Sequence, residues 1–596
     1  MSTPARSAPR LASTIFFVAC LLNSAFTTVL ADSSKPNIIL ILTDDQGWGD
    51  IRSHDNDKID TPTMDRIASE GARIDRFYVS PVCAPTRASL LTGRYSERSN
   101  IHGVTRNAEA MRPEEVTLGE IFKAAGYATG AFGKWHNGAN YPHHPNGQGF
   151  DTFIGFCGGH WNTYFDTMLE KNGEPFQSKG FITNVITDFA LAFIDEQHKA
   201  GKPWLCYVPY NAPHSPWQVE DKYFDKYKKR GLDDTTACAY AMVENIDDNI
   251  ARLLTKIDDL KQSENTIVLF ITDNGPNSAR YNGDMKGRKG AVDEGGVRVP
   301  CFIRWKGKIE AGTVFKPIAA HIDILPTLVE LTGVKMPETK PLDGKSIAPL
   351  LLGKMKQEDW PDRQLYRTWG GKGAVRTQRW LAVRSGDRKW ELYDILADPE
   401  QKKDVVRENS AVLAKLGHDY AKWIGEATKD RVNYLPQHVG HKEWPIVTLK
   451  GHEALLEGKA NAGGISYHGK SGWANDWITN WTDTKAYPSW PIEVVRAGKY
   501  EVTLHYICAQ ENVGAKVRVE VGGAAIEGTI TESWNPPVPK VADRVSRKET
   551  YDTTWKPLKL GVIELGEGVT QLNVKALTKP GAQVMDLKAV VLRRVE

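Results

Sequence analysis

The sequence predicts an α/β fold: a mixed, mostly parallel sheet flanked by helices, then a small antiparallel α+β subdomain, then a C-terminal β-sandwich. Two continuous apolar runs, at residues 36–42 and 266–271, are typical of strands that are buried on both faces, as in a parallel sheet. From about residue 346 shorter alternating strands replace them. From about residue 441 the chain consists of short strands separated by Gly and Pro turns.

Composition excludes several classes of protein. The chain has 596 residues, enough for several domains, and 41% of them are hydrophobic and 25% charged. These fractions are ordinary for globular proteins and exclude a disordered, collagen-like or coiled-coil chain. With 76 Lys and Arg against 73 Asp and Glu, the net charge of +3 is too balanced for a protein held to nucleic acid by charge.

The first 31 residues have the layout of a secretory signal peptide. Arg6 and Arg10 precede an apolar run at 11–30, and polar residues follow Ala31. A retained membrane anchor is the alternative, but it needs about 20 continuous apolar residues, and Asn23 and small polar residues interrupt this run. The sequence therefore predicts cleavage near Ala31, a secreted or periplasmic protein, and no stable membrane insertion.

The predicted elements fall into three blocks after that segment. Residues 32–345 form the α/β domain, which also contains helices at 116–125 and 183–199 and a strand at 204–209. Residues 346–440 form the small antiparallel subdomain, with short strands within 373–396 and a helix at about 408–427. Residues 441–596 form the β-sandwich, with strands predicted at 499–508, 515–521, 559–565, 569–576 and 584–594.

The cysteines form neither a zinc motif nor a disulfide framework. Cys20 lies in the signal segment, and the spacing of the other six matches no zinc pattern. Six cysteines are also too few for a disulfide scaffold in a chain of this length. If one of the six is chemically special, an odd number remains, so we expect at least one free, buried thiol.

Polar residues follow both continuous apolar strands. Asp44 and Asp45 come directly after the first strand, and Asp273 and Asn274 follow the second. Because the carboxyl ends of parallel strands meet at one edge of a sheet, these four side chains supply hard oxygen ligands at one place. Taken singly, each Asp could equally cap a helix or close a turn.

Residues 83–94, CAPTRASLLTGR, form the most specific segment of the chain. This segment resembles the modification motif of the type I sulfatases, within the alkaline phosphatase superfamily. Thr86 stands where that family also commonly has Ser. Further similar segments follow the family's order across roughly residues 36–430, at 36–50, 133–136 (GKWH), 212–214 (APH), 272–275 (TDNG) and 289–300. The resemblance implies an alkaline-phosphatase-like sheet and the activity of a sulfuric ester hydrolase.

The resemblance assigns the nucleophile to Cys83. In the family a dedicated maturase oxidises this cysteine to formylglycine, which hydrates to a gem-diol. One hydroxyl attacks sulfur and releases the alcohol, and the second loses its proton so that sulfate is expelled. The alternative, a buried structural cysteine in a turn, gives no reason for Pro85 and Arg87 at their offsets.

The resemblance also implies one Ca²⁺ ion. Its ligands would be Asp44, Asp45, Asp273 and Asn274, together with an oxygen of the modified Cys83. All four unmodified side chains are oxygen donors, which suits a hard cation and does not suit zinc.

The other catalytic positions are implied by the same family motifs. Arg87 would hold a formylglycine hydroxyl, and Lys134 and Lys289 would contact sulfate oxygens. His136 would take the proton of the second hydroxyl, and His214 would protonate the leaving oxygen, alone or with Lys289. A separate argument from charge agrees, since a sulfate ester in a dry pocket needs fixed positive groups.

A Gly-rich loop at 155–165 is the candidate substrate loop. His160, Trp161 and Tyr164 could stack on a sugar and hydrogen-bond to it, or the loop could simply be a packed aromatic segment. Three other histidines match none of the motifs and are interpreted as loop or structural residues: His143, His144 and His321.

Tryptophan is abundant, at 18 residues, and six tryptophans lie in the predicted sandwich: Trp473, Trp477, Trp481, Trp490, Trp534 and Trp555. We expect most of them in the core, whereas several exposed on one face would indicate carbohydrate binding. The sandwich resembles accessory modules of secreted carbohydrate-active enzymes, a likeness of fold alone.

The sequence thus predicts a secreted, calcium-dependent sulfatase that acts on a sulfated carbohydrate or polysaccharide and requires a formylglycine-generating maturase as partner. Two alternatives stay open. One is a phosphonate or phosphate ester hydrolase that uses the same motif, and the other is a catalytically silent carbohydrate-binding protein. Against the silent protein, every expected nucleophile, metal and proton-transfer position is filled.

Overall fold

A computed structural model describes residues 1–3, 35–386, 389–458, 463–539 and 541–596 of the protein. The predicted signal peptide at 1–31, with Cys20, lies outside the described residues apart from its first three positions. Among the residues described, the structure contains no helix that is both long enough and apolar enough to cross a membrane.

Strands fall into three groups along the chain. The first group is β1 (Asn37–Thr43), β2 (Ala72–Ile74), β3 (Phe77–Tyr78), β4 (Ala128–Lys134), β5 (Thr152–Phe156), β6 (Met168–Lys171), β7 (Glu174–Gln177), β8 (Trp204–Pro209), β9 (Thr266–Thr272), β10 (Arg298–Val299), β11 (Cys301–Arg304), β12 (Thr313–Phe315) and β13 (Ala319–Ala320). The second is β14 (Leu365–Trp369), β15 (Lys372–Arg376), β16 (Trp380–Arg384) and β17 (Trp390–Asp394). The third is β18 (Gln437–Val439), β19 (Ile446–Lys450), β20 (Leu455–Gly458), β21 (Ser466–Tyr467), β22 (Ile478–Thr479), β23 (Ala486–Val494), β24 (Gly498–Ile507), β25 (Lys516–Val521), β26 (Ala524–Thr529), β27 (Lys556–Leu565), β28 (Gly568–Thr578) and β29 (Asp586–Arg594).

The α-helices lie mostly between strands of the first group. They are α1 (Pro62–Glu70), α2 (Cys83–Thr92), α3 (Leu118–Ala124), α4 (Ile182–Lys199), α5 (Asp221–Lys229), α6 (Asp234–Asp259), α7 (Glu294–Val297), α8 (Ile324–Thr332), α9 (Ala348–Leu351) and α10 (Ser410–Ala427).

The central sheet has ten strands in the order β12-β2-β11-β9-β1-β8-β4-β5-β6-β7. Its middle is parallel, because β9, β1, β8, β4 and β5 all pair in the same direction, and antiparallel strands stand at both sides. All seven residues of β1 and of β9 are buried. Two separate apolar cores cover the sheet, one on each face, as expected for strands without a polar side. The predicted fold class is confirmed.

A four-stranded antiparallel sheet, β14-β15-β16-β17, follows the α/β part, and α10 packs on it. The sequence predicted the last three of these strands and the helix but not β14. The helix contributes Leu416, Tyr420 and Trp423 to a core that it shares with this sheet, at the i, i+4 and i+7 spacing of one helical face.

The third strand group forms two six-stranded sheets. Alternate residues of β24 and β25 are buried, which is the pattern of strands with one face on a core. Both sheets contribute to the same apolar cluster, so together they form the predicted sandwich. Residues 35–596 cluster as one compact unit, and the boundaries near 345 and 440 stay predictions.

Two expectations about side chains have different outcomes. All six cysteines among the described residues are free and buried, which agrees with the expected free thiol. The tryptophans of the sandwich are less buried than expected. Trp477, Trp481 and Trp490 lie in the interior, Trp534 is 37% exposed, and Trp473 and Trp555 are partly buried.

Candidate active site

The polar residues that follow β1 and β9 lie side by side at one edge of the central sheet. The two strands are parallel and in register, with Thr43 opposite Thr272. The next residues continue this alignment: the Asp273 amide donates to the carbonyl of Thr43 at 3.0 Å, and the Asp45 amide donates to Oδ1 of Asp273 at 3.2 Å. The chain turns sharply here, since Asp45 has a φ of 66°. Such left-handed backbone in a non-Gly residue costs energy and is concentrated at functional sites.

Cys83 is the first residue of α2 and lies at the same place. All ten residues of this helix are buried, and Cys83 itself is 3% exposed. Burial raises the pKa of the Cys83 thiol, although Lys134 and Lys289 oppose this. As an unmodified cysteine, the residue is therefore held in the protonated form, which is a poor nucleophile.

Two residues of α2 fasten the helix to the end of β9. Thr86 donates from Oγ1 to the carbonyl of Asp273 at 2.7 Å. Arg87 donates from Nη2 to Oδ2 of Asp273 at 2.8 Å and from Nη1 to the carbonyl of Lys134 at 2.8 Å. These bonds fix Cys83 relative to the strand ends and explain the use of both residues in the motif.

Two lysines neutralise the aspartates that follow β1. Lys134, at the end of β4, is buried and makes a short ion pair with Oδ2 of Asp44. The Nζ of Lys289 lies 2.7 Å from Oδ1 of Asp45. Burial disfavours the Asp44 carboxylate, but Lys134 and the other nearby positive groups still hold its pKa well below the usual range.

The geometry of the predicted ligands fits a hard cation. Asp44 Oδ1, Asp45 Oδ2 and Asn274 Oδ1 are buried oxygen atoms with no hydrogen-bond partner among the described residues. One ligand atom each from Asp44, Cys83 and Asp273 lies within 4.8 Å of the others. Burial, with the neighbouring Asp44 carboxylate, raises the pKa of Asp273, although Arg87 and Lys134 oppose this. Buried carboxylate and amide oxygens without a hydrogen-bond partner are what a Ca²⁺ ion requires.

Two histidines approach Cys83 from different segments. The Nε2 of His136 lies 2.9 Å from the carbonyl of Val104 and must donate to it, so the proton of the neutral ring is on Nε2. Its Nδ1 then carries a lone pair and has no hydrogen-bond partner among the described residues. Burial and Lys134 lower the pKa of His136 well below its ordinary value, so the ring is neutral. His214 donates from Nδ1 to the carbonyl of Ser215 at 2.7 Å, which leaves Nε2 3.7 Å from Oδ2 of Asp45.

The predicted substrate loop has to be revised. His160 lines the same cavity as Cys83, but Trp161 and Tyr164 do not. Trp161 stacks on Phe156 and donates to the carbonyl of Met168, and the buried Tyr164 donates to the carbonyls of His214 and Ser215. Trp161 thus packs against the core while remaining partly exposed, and the buried Tyr164 supports the His214 segment. Gly159 matters more, since a Cβ there would lie 2.5 Å from Nε2 of His136.

The histidines that match no motif lie outside this cavity. His143 donates to the carbonyl of Met111, the Nδ1 of His144 accepts from the amide of Asn146, and His321 bonds to Ser80. Each has a structural partner, as the sequence indicated.

The cavity, of about 390 Å³, has a wall that the sequence did not reveal. Its floor contains Asp45 and Cys83, and His136, His160, His214 and Lys289 stand around them. One wall comes from the C-terminal sandwich, and its lining residues are Trp473, Ala474, Ser546, Arg547, Lys548 and Glu549. No local pattern marks these residues, because their role depends on how the sandwich packs against the α/β part.

Known protein families match the α/β part of the chain and the small antiparallel sheet that follows it. The profile of the sulfatase family matches residues 36–334, and that of the N-sulphoglucosamine sulphohydrolase C-terminal region matches residues 288–422. The N-acetylgalactosamine-6-sulfatase of Canis lupus familiaris is 31% identical over 380 residues, which cover 58% of this chain and 72% of that protein. Arylsulfatase A of Bos taurus is 32% identical over 425 residues, 63% of this chain and 80% of that one.

A crystal structure of Ps i-CgsB in complex with k-i-k-neocarrahexaose has the same fold, with a TM-score of 0.63 and 29% identity over 67% of this chain and 94% of that chain. Neither family profile extends into the sandwich wall of the cavity. Because the sulfatase profile covers just over half of the 596 residues and the curated relatives align over most of their own length, the protein belongs to the sulfatase family, a family of sulfuric ester hydrolases.

Proposed function

We propose that the protein hydrolyses sulfate esters of a sulfated carbohydrate, with Cys83 converted to formylglycine and one Ca²⁺ ion held by Asp44, Asp45, Asp273 and Asn274. One observation carries this proposal. The buried Cys83 lines a cavity together with Asp45, and the strand ends behind them carry buried oxygens of Asp44, Asp45 and Asn274 that have no hydrogen-bond partner among the described residues. Cationic side chains surround that floor, as hydrolysis of an anionic ester requires.

The sulfatase family generally uses both groups. Hydrated formylglycine supplies an oxygen nucleophile and a second hydroxyl that allows sulfate to leave, and calcium supplies positive charge toward the anionic ester. The four oxygen-donor side chains at the ends of β1 and β9 would hold the ion. Arg87 and Thr86 keep α2, and with it residue 83, in a fixed position against those strand ends.

The lysines have different exposures and therefore different tasks. Lys134 is buried and paired with Asp44, so it balances charge beneath the cavity. Lys289 lines the cavity and its side chain is 22% exposed, so its ammonium group can reach a sulfate oxygen while remaining close to Asp45. Fixed charges of this kind are already oriented before the substrate binds, which lowers the cost of reaching the transition state.

The two histidines are suited to opposite proton transfers. Neutral His136 has a free lone pair on Nδ1, so it can accept a proton from the hydroxyl at residue 83. His214 lines the cavity and already carries a proton on Nδ1, so its Nε2 can protonate the leaving oxygen only when the ring is an imidazolium. The Asp45 carboxylate, 3.7 Å from Nε2, favours that form, whereas burial and Lys289 lower the pKa of the ring. A sugar alkoxide is a poor leaving group, so the second transfer matters most for sugar esters.

The carbohydrate substrate is supported by two facts about the relatives and the cavity. One relative is named for a sulfate at position 6 of N-acetylgalactosamine, and a structural relative was crystallised with an oligosaccharide. The cavity volume lies within the range of roughly 300–1,000 Å³ that is usual for small-ligand sites. Export through the segment at 1–31 would place the enzyme where polysaccharides occur.

Matched ester pairs test the reaction. The protein, co-expressed with a maturase, should hydrolyse 4-nitrophenyl sulfate faster than 4-nitrophenyl phosphate, since phosphate monoesters carry a second charge. It should also prefer the sulfate to 4-nitrophenyl phenylphosphonate, a monoanion that tests the phosphonate alternative at equal charge. The Cys83→Ala variant is the matched control and should be inactive on all three. Preferential hydrolysis of the phosphorus esters would contradict the proposed reaction, and no turnover by converted enzyme would favour the silent-protein alternative.

A further inference from the structure

We propose that the C-terminal sandwich contributes a second anion-binding subsite to the catalytic cavity, in which Lys548 binds a carboxylate or sulfate group elsewhere on the saccharide. The proposal rests on the proposed function, because it concerns the substrate of the same cavity. It would make the enzyme selective for saccharides that carry a second negative charge besides the sulfate to be cleaved.

The segment that carries Lys548 is fixed rigidly to the α/β part. The Arg544 amide donates to the carbonyl of Trp217 at 2.7 Å, and Gln218 donates from Nε2 to Oδ1 of Asp543 at 2.6 Å. Farther along, Arg547 donates from Nη2 to Oδ1 of Asn162 at 3.0 Å. The sandwich wall is therefore a permanent part of the cavity, and it does not behave as a tethered module.

A direct contact links this wall to the catalytic histidine segment. Ser215 donates from Oγ to Oε1 of Glu549 at 2.5 Å, and Ser215 follows His214 in the chain. The residue before Glu549 is Lys548, and both line the cavity that also contains Lys289 and Cys83. A saccharide whose sulfate lies at Cys83 therefore shares this cavity with Lys548.

The charges of the cavity leave Lys548 available for a ligand. Three lysine and arginine side chains line the cavity. Lys289 is paired with Asp45, and Arg547 has Asp543 at 3.6 Å and Asn162 as partners. Lys548 is exposed and makes no ion pair in the described part of the chain. A cation held at the mouth of an anion-binding cavity attracts a further anionic group, because the surrounding low-dielectric wall weakens solvent screening.

Two neighbouring rings complete a site for a sugar. Trp473, from the sandwich, is partly buried, and its ring meets that of His160 edge to face at 6.3 Å. His160 is 8% exposed, and its Nε2 has no hydrogen-bond partner among the described residues. A buried polar atom without a partner in a cavity wall indicates a ligand that supplies one, such as a sugar hydroxyl. An indole face beside it suits the apolar face of a pyranose.

The test measures competitive inhibition of 4-nitrophenyl sulfate hydrolysis by three saccharides that differ in their second charge. N-acetylglucosamine 6-sulfate has none, glucosamine 2-N,6-O-disulfate has a sulfate, and a disaccharide of hexuronic acid and N-acetylglucosamine 6-sulfate has a carboxylate. The wild-type enzyme is compared with Lys548→Met. Lys559→Met is the matched control, because Lys559 lies on the same sandwich with its side chain 73% exposed and does not line the cavity.

We expect Lys548→Met to weaken binding of at least one doubly charged saccharide about tenfold, with Lys548→Arg restoring most of it. The affected saccharide identifies the second group as sulfate or carboxylate. Lys548→Met should weaken binding of N-acetylglucosamine 6-sulfate, which has no second charge, much less, and Lys559→Met should leave binding of all three saccharides and turnover of 4-nitrophenyl sulfate unchanged. An equal effect on all three saccharides, or on none, would overturn the subsite.

Failure of the proposed function is distinguishable from failure of the subsite. If enzyme with converted Cys83 does not hydrolyse 4-nitrophenyl sulfate, the proposed reaction is wrong. The subsite is then tested by calorimetric titration of the same saccharides into the wild type and Lys548→Met. Selectively weaker binding of a doubly charged saccharide by the variant would support the subsite, and an equal effect on all three saccharides, or on none, would overturn it.

Discussion

At the scale of single residues, hydrogen bonds to backbone carbonyls set the tautomer of each proposed catalytic histidine. A carbonyl can only accept, so the carbonyl of Val104 forces the proton of neutral His136 onto Nε2 and leaves Nδ1 free for the proposed role as base. His136 also has a φ of 65°, a left-handed conformation that is uncommon for a non-Gly residue. The backbone conformation at this residue is thus part of how the base is presented.

Replacing His136 should damage catalysis more than folding. His136→Gln can still donate to Val104 but offers no imidazole lone pair, so turnover of 4-nitrophenyl sulfate should fall by about 10²–10⁴. His143→Gln is the control, because His143 is equally buried, donates to a carbonyl in the same way and lies outside the cavity. Steady-state kinetics on both folded variants would decide the matter, and similar losses in the two would argue against a base at His136.

At the scale of elements, the in-register pairing of β1 with β9 creates the proposed calcium site. This much could be predicted from the sequence, because two continuous apolar strands followed by Asp and Asn mark one sheet edge without further information. The motif segment at 83–94 could be located by its resemblance to a known family, but the sequence did not predict that it begins helix α2. The sandwich wall could not be predicted from the sequence. Lys548 and Glu549 look like ordinary surface charges in the sequence, and only the packing of the sandwich against the α/β part places them in the cavity.

In the aromatic loop at 155–165, by contrast, the sequence suggested substrate-binding residues that do not line the cavity. Tyr164 and Trp161 carry the side chains that suit a sugar, but residue type alone does not say whether a ring faces a cavity or a core. In the structure Tyr164 is buried in the core and Trp161 packs against it partly exposed, and of this group only His160 lines the cavity. Burial of apolar area outweighs the availability of their polar atoms, which find backbone partners instead.

Calcium dependence can be assigned to the strand ends by one substitution. Asn274→Ala removes a buried oxygen ligand that has no hydrogen-bond partner among the described residues, so the calcium concentration needed for half-maximal activity after chelation should rise at least about tenfold. Asn37→Ala, at the other end of the same strand pair, also removes a buried amide and serves as the control. Calcium requirements that shift equally in both variants would place the ion elsewhere.

At the scale of the whole molecule, the sandwich and the α/β part bury polar groups between them. Glu109 of the α/β part is buried near Glu453 of the sandwich, and its Oε2 has no partner in the part of the chain that the structure describes. Burial and the Glu453 carboxylate raise the pKa of Glu109 to about 8, with Lys450 opposing them. The folded protein therefore keeps a proton on Glu109 that the unfolded chain, with an ordinary glutamate pKa, loses.

This difference predicts how stability depends on pH. Because the folded pKa is raised, Glu109 makes the folded state progressively less stable as the pH rises from about 4.5 to about 8, on the order of 2–4 kcal/mol in total. When the pH is raised across this range, the unfolding temperature of Glu109→Gln should fall less than that of the wild type. Differential scanning fluorimetry across this range gives the two slopes, and parallel curves would show that Glu109 is not protonated in the folded protein.

Conversion of Cys83 is the claim on which the whole account depends. Peptide mass spectrometry around residue 83, on protein co-expressed with a maturase, should show a loss of about 18 Da relative to cysteine. In preparations converted to different extents, 4-nitrophenyl sulfate turnover should rise in proportion to the converted fraction. Unmodified cysteine in protein that is nevertheless fully active, or complete conversion without any sulfatase turnover, would contradict the account.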